Sequence, residues 1–427
     1  MQIRKPIASL TAAAALFLGS AGAALAQSRV VIPSSSIPVL DGSDVSHTDI
    51  QLLVVPGQSS PVVAGNPAIP GAPGPPFTGL FYETPASIAC VYQLVLPQVP
   101  GCNPNLAYMN PTGVGSRAIA IVDAFHDDMA ATDLAFFSTQ FGLPAPVFQQ
   151  HSAQPGSSCS NTEGPVPPAD PTGGWEVEES LDVQWAHAMA PGATIILVEA
   201  QSNSNANLLC AELYAGFLLQ AFGGGEVSNS WGGGEGSGEL SRDSFFTASN
   251  VVYFASSGDS PGVEYPCASP NVVCVGGTSV GRNANTGAFL GLESDWQDAG
   301  GGISRFEPRP SYQPFTVGAA RGVPDISAVA NPATGVWVRD THVSPQGEGW
   351  FVVGGTSVAS PLVAGIVNAA GNFASSSAAE LSRIYGDPSS NFNDIVSGTC
   401  GLNIGFSSGV GWDFCTGRGS PRGYAGK

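Results

Sequence analysis

The chain has 427 residues, 43% hydrophobic and only 11% charged, with 33 acidic residues against 14 basic ones and a formal charge of −19. That length and apolar content suit one large domain or about two to three ordinary ones. Lysine occurs only at Lys5 and Lys427, which excludes the basic patches of a nucleic-acid or anionic-membrane binder. Near pH 4 much of the carboxylate charge would be neutralised, which suits work in acid.

Residues 1–26 read as a secretory signal. Arg4 and Lys5 open it, Ile7 to Ala24 is apolar, and Ala24-Leu25-Ala26 is a small-x-small cleavage site. An uncleaved anchor is the competing reading, and the cleavage site weighs against it. Residues 27–77 are rich in Pro, Gly, Ser and Val and read as an extended or poorly ordered segment before a globular region, 78–427. Ala118 to Val122 is a short apolar run suited to a buried parallel strand, ending in Asp123. Helices are expected over Ala131–Phe141, Val177–Met189 and Asn207–Phe222. Strands are expected over Thr194–Val198, from Val227 to Asn229-Ser230-Trp231-Gly232, over Val251–Ala255 and over Val272–Val275. The run Trp350–Val353 leads into Gly354-Gly355-Thr356-Ser357-Val358-Ala359-Ser360-Pro361, and a small-residue helix leaves it. Strands alternating with helices predict an α/β fold with a mostly parallel sheet and polar residues gathered at the strand C-termini.

Eight cysteines in an exported chain imply disulfides. They fall as sequence-local couples, Cys90/Cys102, Cys159/Cys210, Cys267/Cys274 and Cys400/Cys415, although spacing alone leaves other pairings open. No Cys-x-x-Cys or His-x-x-x-His spacing supports zinc.

A serine at a glycine-rich strand-to-helix junction exposes its hydroxyl where backbone N–H groups favour negative charge. Ser357 is therefore a candidate nucleophile, against the plainer reading of a Gly-rich turn. Pro361 is expected in the first helical turn. A serine nucleophile needs a base. His47, His126, His151, His187 and His342 have no protease motif around them, and His187 reads better as a polar helix position. Glu178 and Asp182 stand at i and i+4, on one helix face, where two carboxyls can share a proton. Glu176 and Glu179 read as a solvated acidic helix start. Asp259, after the Val251–Ala255 strand, can donate to an oxyanion only while protonated; alone it reads as a turn residue. Asn393-Asp394-Ile395 and Gly409 to Asp413 combine two carboxylates with glycine backbone, as a Ca²⁺ site or a plain Gly/Asx loop would.

In order, Glu178, Asp182, Asp259 and Ser357 resemble the sedolisin (serine-carboxyl peptidase) family. The resemblance runs over about residues 80–427. Its motifs are Glu178-Glu179-Ser180-Leu181-Asp182, Ser228 to Gly232, Ser257-Gly258-Asp259-Ser260, Gly300 to Ser304, Arg321 to Ser327 and Gly355 to Pro361. It implies a subtilisin-like fold, with helices on both faces of the sheet. It also implies an exported, acid-active endopeptidase acting on polypeptides, monomeric and free of the membrane after signal removal. The implied roles are Ser357 as nucleophile, Glu178 with Asp182 as base, and Asp259 in the oxyanion hole. Asp123 and Trp231 would support the carboxyl pair through hydrogen bonds. Asp394, Asp413 and the backbones of Ile395, Gly409 and Gly411 would hold one structural Ca²⁺. The family usually carries a large N-terminal prodomain, whereas about 50 residues separate the signal from the catalytic motifs here. Two alternatives remain: a neutral subtilisin-like protease using Asp123 and a histidine, and a secreted binding protein on a peptidase scaffold.

Overall fold

The apolar runs Ala118–Ala124 and Thr194–Ala200 lie side by side as parallel strands, residue for residue. The computed structural model describes residues 29–39, 43–65, 67, 74–95, 100–106, 109–314, 318–400 and 405–427; the expected signal, 1–26, lies outside them. The N-terminal part carries β1 (Arg29–Val31), β2 (His47–Thr48), β3 (Gln51–Val54) and α1 (Pro85–Val91). There follow β4 (Ala118–Ala124), α2 (Ala130–Phe141), β5 (Val147–Ser152), α3 (Gly174–Met189), β6 (Thr194–Ala200), α4 (Asn205–Leu219), β7 (Gly225–Asn229) and β8 (Trp231–Gly234). The second half contains β9 (Val251–Ser256), β10 (Glu264–Tyr265), β11 (Val273–Arg282), β12 (Phe289–Asp295), β13 (Gly302–Pro308), β14 (Ala320–Val323), β15 (Ile326–Val329), β16 (Val336–Asp340), β17 (Gly349–Gly354), α5 (Thr356–Ala370) and α6 (Ser377–Gly386).

The main sheet has the order β12-β11-β9-β7-β4-β6-β5, with β15 also on β11. Within it only the β11–β12 pair is antiparallel. Side chains alternate across the strands. Ile119, Ile121, Ile195 and Leu197 meet helices α2, α3 and α5 on one face. Ala120, Val122, Ile196 and Val198 meet α4 on the other. This is the expected α/β architecture, with helices on both faces.

Of the segment expected to be extended or poorly ordered, 27–77, the described strands join the globular body instead. Strand β3 pairs with both β1 and β17, and Ile50, Leu52, Leu53, Val55 and Val63 sit in the same core as α3 and α5. Gln51-Leu52-Leu53-Val54 is a good strand sequence that the Pro/Gly-rich average around it conceals.

Helix α3 starts three residues earlier than expected because Asp170 caps it. Its Oδ2 accepts the amides of Gly174 at 3.1 Å and Trp175 at 3.3 Å. Helices α3 and α5 cross closely at Gly365, where an added Cβ would lie 2.7 Å from Met189 Cβ and 2.9 Å from Ala186 O. Gly365→Ala should therefore force α5 off α3 and cost about 2 kcal/mol, read as a lower denaturant midpoint; an unchanged midpoint would show that the helices tolerate separation.

Candidate active site

Strand β17 ends at Gly354, and Gly355 turns the chain with φ +112 into α5. Only glycine is tolerated there, since a Cβ would collide with Asp49 O and come within 2.6 Å of Asp259 Oδ2. Ser357 is thus the second residue of α5. Its Oγ donates to Glu178 Oε2 at 2.9 Å. Both side chains are fully buried.

Pro361 lies in the second turn of α5, not the first as expected. Lacking an N–H, it cannot bond the carbonyl of Ser357 four residues back. Ser230 Oγ stands 3.3 Å from that freed oxygen and 2.9 Å from Asp182 Oδ1. A hydroxyl has one proton, so Ser230 donates to one of these two acceptors at a time. The proline irregularity therefore leaves the Ser357 carbonyl and the carboxyl pair to share one hydroxyl, that of Ser230.

Glu178 and Asp182 face each other on α3. Glu178 Oε1 and Asp182 Oδ2 receive no donor from other described groups, and Asp182 gains from a hydrogen bond with Glu178. Burial first, then the neighbouring acids, raises both carboxyls well above their ordinary range. A proton held between them satisfies both orphan oxygens, so the pair titrates as a unit. Asp259 Oδ1 accepts the Thr356 amide at 2.7 Å and lies 3.1 Å from Thr356 Oγ1. Its Oδ2 is buried without a partner among the described residues. Burial, followed by the charge of Asp49, raises Asp259 well above the usual range. A protonated Oδ2 beside Ser357 is a donor waiting for an acceptor.

The histidines are all engaged elsewhere. His47 contacts Asp49 and Glu264, and despite the opposing effect of burial those acids push it up to about 10. His126 pairs with Glu199, His151 with Glu163 and His342 with Asp128. His187 meets Pro144 O at 3.0 Å and is pushed down by burial to about 4. Asp123 has no hydrogen bond from either carboxyl oxygen among the described residues. Trp231 Nε1 donates to Val122 O at 2.8 Å rather than to the carboxyl pair. The expected hydrogen-bonding support from Asp123 and Trp231 is thus absent, although Asp123 acts on Glu178 and Asp182 through its charge. Glu176 and Glu179, expected to be solvated, are fully buried. Asp49 was not expected at the site. Its amide donates to Ser357 Oγ at 3.2 Å, and its carbonyl accepts the Ser357 amide at 3.2 Å. A short polar stretch in a Pro/Gly-rich segment carries no signal for such a contact.

At the C-terminal end Asp394 and Asp413 reach one glycine loop. Gly411 N–H donates to both oxygens of Asp394 at 3.0 and 3.1 Å, and Gly409 N–H to Asp413 Oδ2 at 2.9 Å. Asp413 Oδ1 also accepts the Cys415 and Thr416 amides, each at 2.8 Å. Two carboxylates beside one glycine loop supply oxygens of the kind a hard cation takes, and the glycine contacts made here are through N–H groups. The Cys400–Cys415 bridge closes this region, and the other three disulfides, Cys90–Cys102, Cys159–Cys210 and Cys267–Cys274, are also the sequence-local ones.

Many carboxyls away from Ser357 are also raised by burial: Asp127 to about 7, Glu380 to about 7, and Glu226 and Glu264 to about 8. The unfolded chain loses these protons near about pH 4. Between that pH and the folded values the native state holds more protons, so stability falls as pH rises. His187 acts oppositely, its contribution being lost as pH falls from 6.5 through about 4. The melting temperature should peak at about pH 4–5 and decline through about pH 8; a rising trend in calorimetry over that range would contradict the protonated interior.

No protein-family model matches the chain. Kumamolisin of Bacillus sp. (strain MN-32) is 31% identical over 357 residues, covering 74% of this chain and 61% of the relative. The chain thus spans about three-fifths of that relative's length. Sedolisin of Pseudomonas sp. (strain 101) is 34% identical over 180 residues, 38% of this chain and 29% of the relative. The solved structure of Pseudomonas sedolisin, a serine-carboxyl proteinase complexed with two molecules of pseudo-iodotyrostatin, superposes with a TM-score of 0.63 at 25% identity, covering 80% of this chain and 95% of that one. With the motifs in the same order and the same sheet beneath them, the chain belongs to the sedolisin family, on a subtilisin-like fold.

Proposed function

We propose that the protein is an exported serine-carboxyl endopeptidase that cuts polypeptides in acid. The observation that carries this reading is the 2.9 Å hydrogen bond from Ser357 Oγ to Glu178 Oε2, buried and with every histidine engaged elsewhere. Glu178 takes the Ser357 proton while Asp182 carries the proton the pair shares. Ser357 attacks the scissile carbonyl to form an acyl-enzyme. Protonated Asp259 and the Ser357 amide hold the oxyanion. Glu178 returns the proton to the leaving amine, and water then releases the acyl group with the same pair as base. Asp123, buried and close enough to act on the pair through its charge, keeps both carboxyls protonated to higher pH. Export rests on the sequence of residues 1–26 and on the four disulfides. Among the described residues no helix is long and apolar enough to cross a membrane.

Asp394, Asp413 and the backbones of Ile395, Gly409 and Gly411 would hold one Ca²⁺, which supplies no chemistry to the reaction and fastens the C-terminal loop. Chelation at fixed pH should lower the melting temperature by several degrees and calcium should restore it; an unchanged melting temperature would remove the ion from the reading.

The pH rule follows from the two carboxyl functions. Asp259 must keep a proton, so the rate falls about tenfold per pH unit above its raised pKa. Cleavage of a denatured protein should therefore be strong near pH 4 and weak at pH 8. Glu178→Gln should lower kcat at least about 1000-fold, as should Ser357→Ala, whereas a histidine-based protease would barely notice the glutamine. An active Ser357→Ala preparation, or activity confined to pH 8, would defeat the assignment.

A further inference from the structure

Beyond the C-terminal end of β4 a second group of acids gathers around a histidine that the peptidase reading leaves unused. The segment between β4 and α2 brings Asp127 and Asp128, and the segment after β16 brings His342. A carboxyl oxygen from each aspartate and a ring nitrogen of His342 lie within 4.8 Å of one another. No short motif announces them, because 214 residues separate Asp128 from His342. His342 Nδ1 stands 2.8 Å from Asp128 Oδ1. Asp127 is fully buried, and its two oxygens accept the Met129 amide at 2.8 Å and the Ser180 hydroxyl at 3.2 Å. A carboxylate oxygen that accepts one such bond still has a lone pair to offer.

Two buried oxygens beside this group have no partner among the described residues. Asp340 Oδ1 accepts the His342 amide at 2.8 Å, and its Oδ2 is one of them. Burial, and then the charge of Asp127, raises the Asp340 carboxyl well above its ordinary range, so Asp127 is the acid that acts on it most strongly. Across the imidazole, Glu176 Oε1 lies 3.9 Å from His342 Nε2, and Glu176 Oε2 is the second orphan. Against the five acids Asp127, Asp128, Asp133, Asp340 and Glu176 stand His342 and Arg339, whose Nε is 3.5 Å from Asp133 Oδ1. The cluster is short of positive charge.

The geometry points to a site for one divalent transition ion of the Zn²⁺ class, held by His342 Nδ1, Asp127 and Asp128, with Asp340 Oδ2 completing the set. One imidazole nitrogen among carboxyl oxygens suits such an ion better than it suits calcium. A histidine that ligates through one ring nitrogen commonly turns its other N–H to a carboxylate, which fixes the tautomer. Glu176 is placed for that role behind Nε2. Ligands of one tetrahedral ion, each about 2 Å from it, stand about 3.3 Å apart. The Asp128 side chain, 65% exposed, is free to close that distance. The ion would fasten the β4–α2 segment to the end of β16 and, through Glu176 and Ser180, to α3. This site is separate from the Asp394/Asp413 loop, and it does not depend on the peptidase reading.

The test titrates the full chain with ZnCl₂ at pH 7 in excess calcium, followed by calorimetry and by melting temperature. Co²⁺ absorption reports ligation by nitrogen. One Zn²⁺ should bind per chain and raise the melting temperature by several degrees. His342→Gln and Asp128→Asn should each weaken binding at least about tenfold. Asp128 is exposed, so its variant should keep the zinc-free melting temperature of the wild type. No zinc binding, zinc displaced by calcium, or undiminished binding in Asp128→Asn would each overturn the site. So would a His342→Gln chain that binds Co²⁺ with the wild-type spectrum.

Discussion

A carboxyl taken out of water with no cation beside it keeps its proton, and the interior of this protein is arranged around that constraint. Where a cation is present the fold uses it: Arg321 clasps Asp325 at 2.7 Å, and Arg282 clasps Glu83 at 2.6 Å. Fourteen basic residues cannot serve 33 acids, however. Helix α3 alone buries Glu176, Glu178, Glu179 and Asp182 completely. Ionising them together would place like charges in a medium that screens them poorly. Neutral, they are merely polar groups, and a carboxylic acid can donate a hydrogen bond that a carboxylate cannot.

The placement of Ser357 depends on small departures from regular structure. Gly355 takes a backbone angle that side chains avoid, and its missing side chain leaves room for the Asp49 carbonyl and Asp259 Oδ2. Pro361 withholds one helical hydrogen bond, which frees the Ser357 carbonyl for Ser230. Gly365 lets α5 approach α3 closely enough to hold the serine against Glu178. Each device is local in sequence, yet all three set the position of one oxygen relative to one carboxyl.

Much of this was legible in the chain. The parallel strands announce themselves as short apolar runs, and Glu178 with Asp182 follows from helical spacing. The sequence-local cysteine couples are the observed bridges. What was not legible depends on tertiary packing. A glutamate on a helix looks the same whether water or Asp123 lies beside it, so the burial of Glu176 and Glu179 had no signal. Trp231 was expected to reach the carboxyl pair, but its ring turns to the Val122 carbonyl. Strand β2 is two residues long and exists only because β8 offers an edge. Segment-wide composition hid both it and β3, since a few ordered residues cannot outweigh many prolines and glycines.

The four disulfides draw a covalent map with a telling blank. Their loops close over 12, 51, 7 and 15 residues, and the first cysteine in any of them is Cys90. Every staple therefore lies on the far side of Asp49, and the bridges stiffen the body without lacing the leading strand to it. Residues 29–49 are held on the body by short backbone pairings, by Ser46 with Asn203 and Asn205, by His47 with Glu264 and by Asp49 with Ser256 and Ser357. That segment keeps its place on the body through non-covalent contacts and the single chain connection that follows it, with no covalent cross-link of its own.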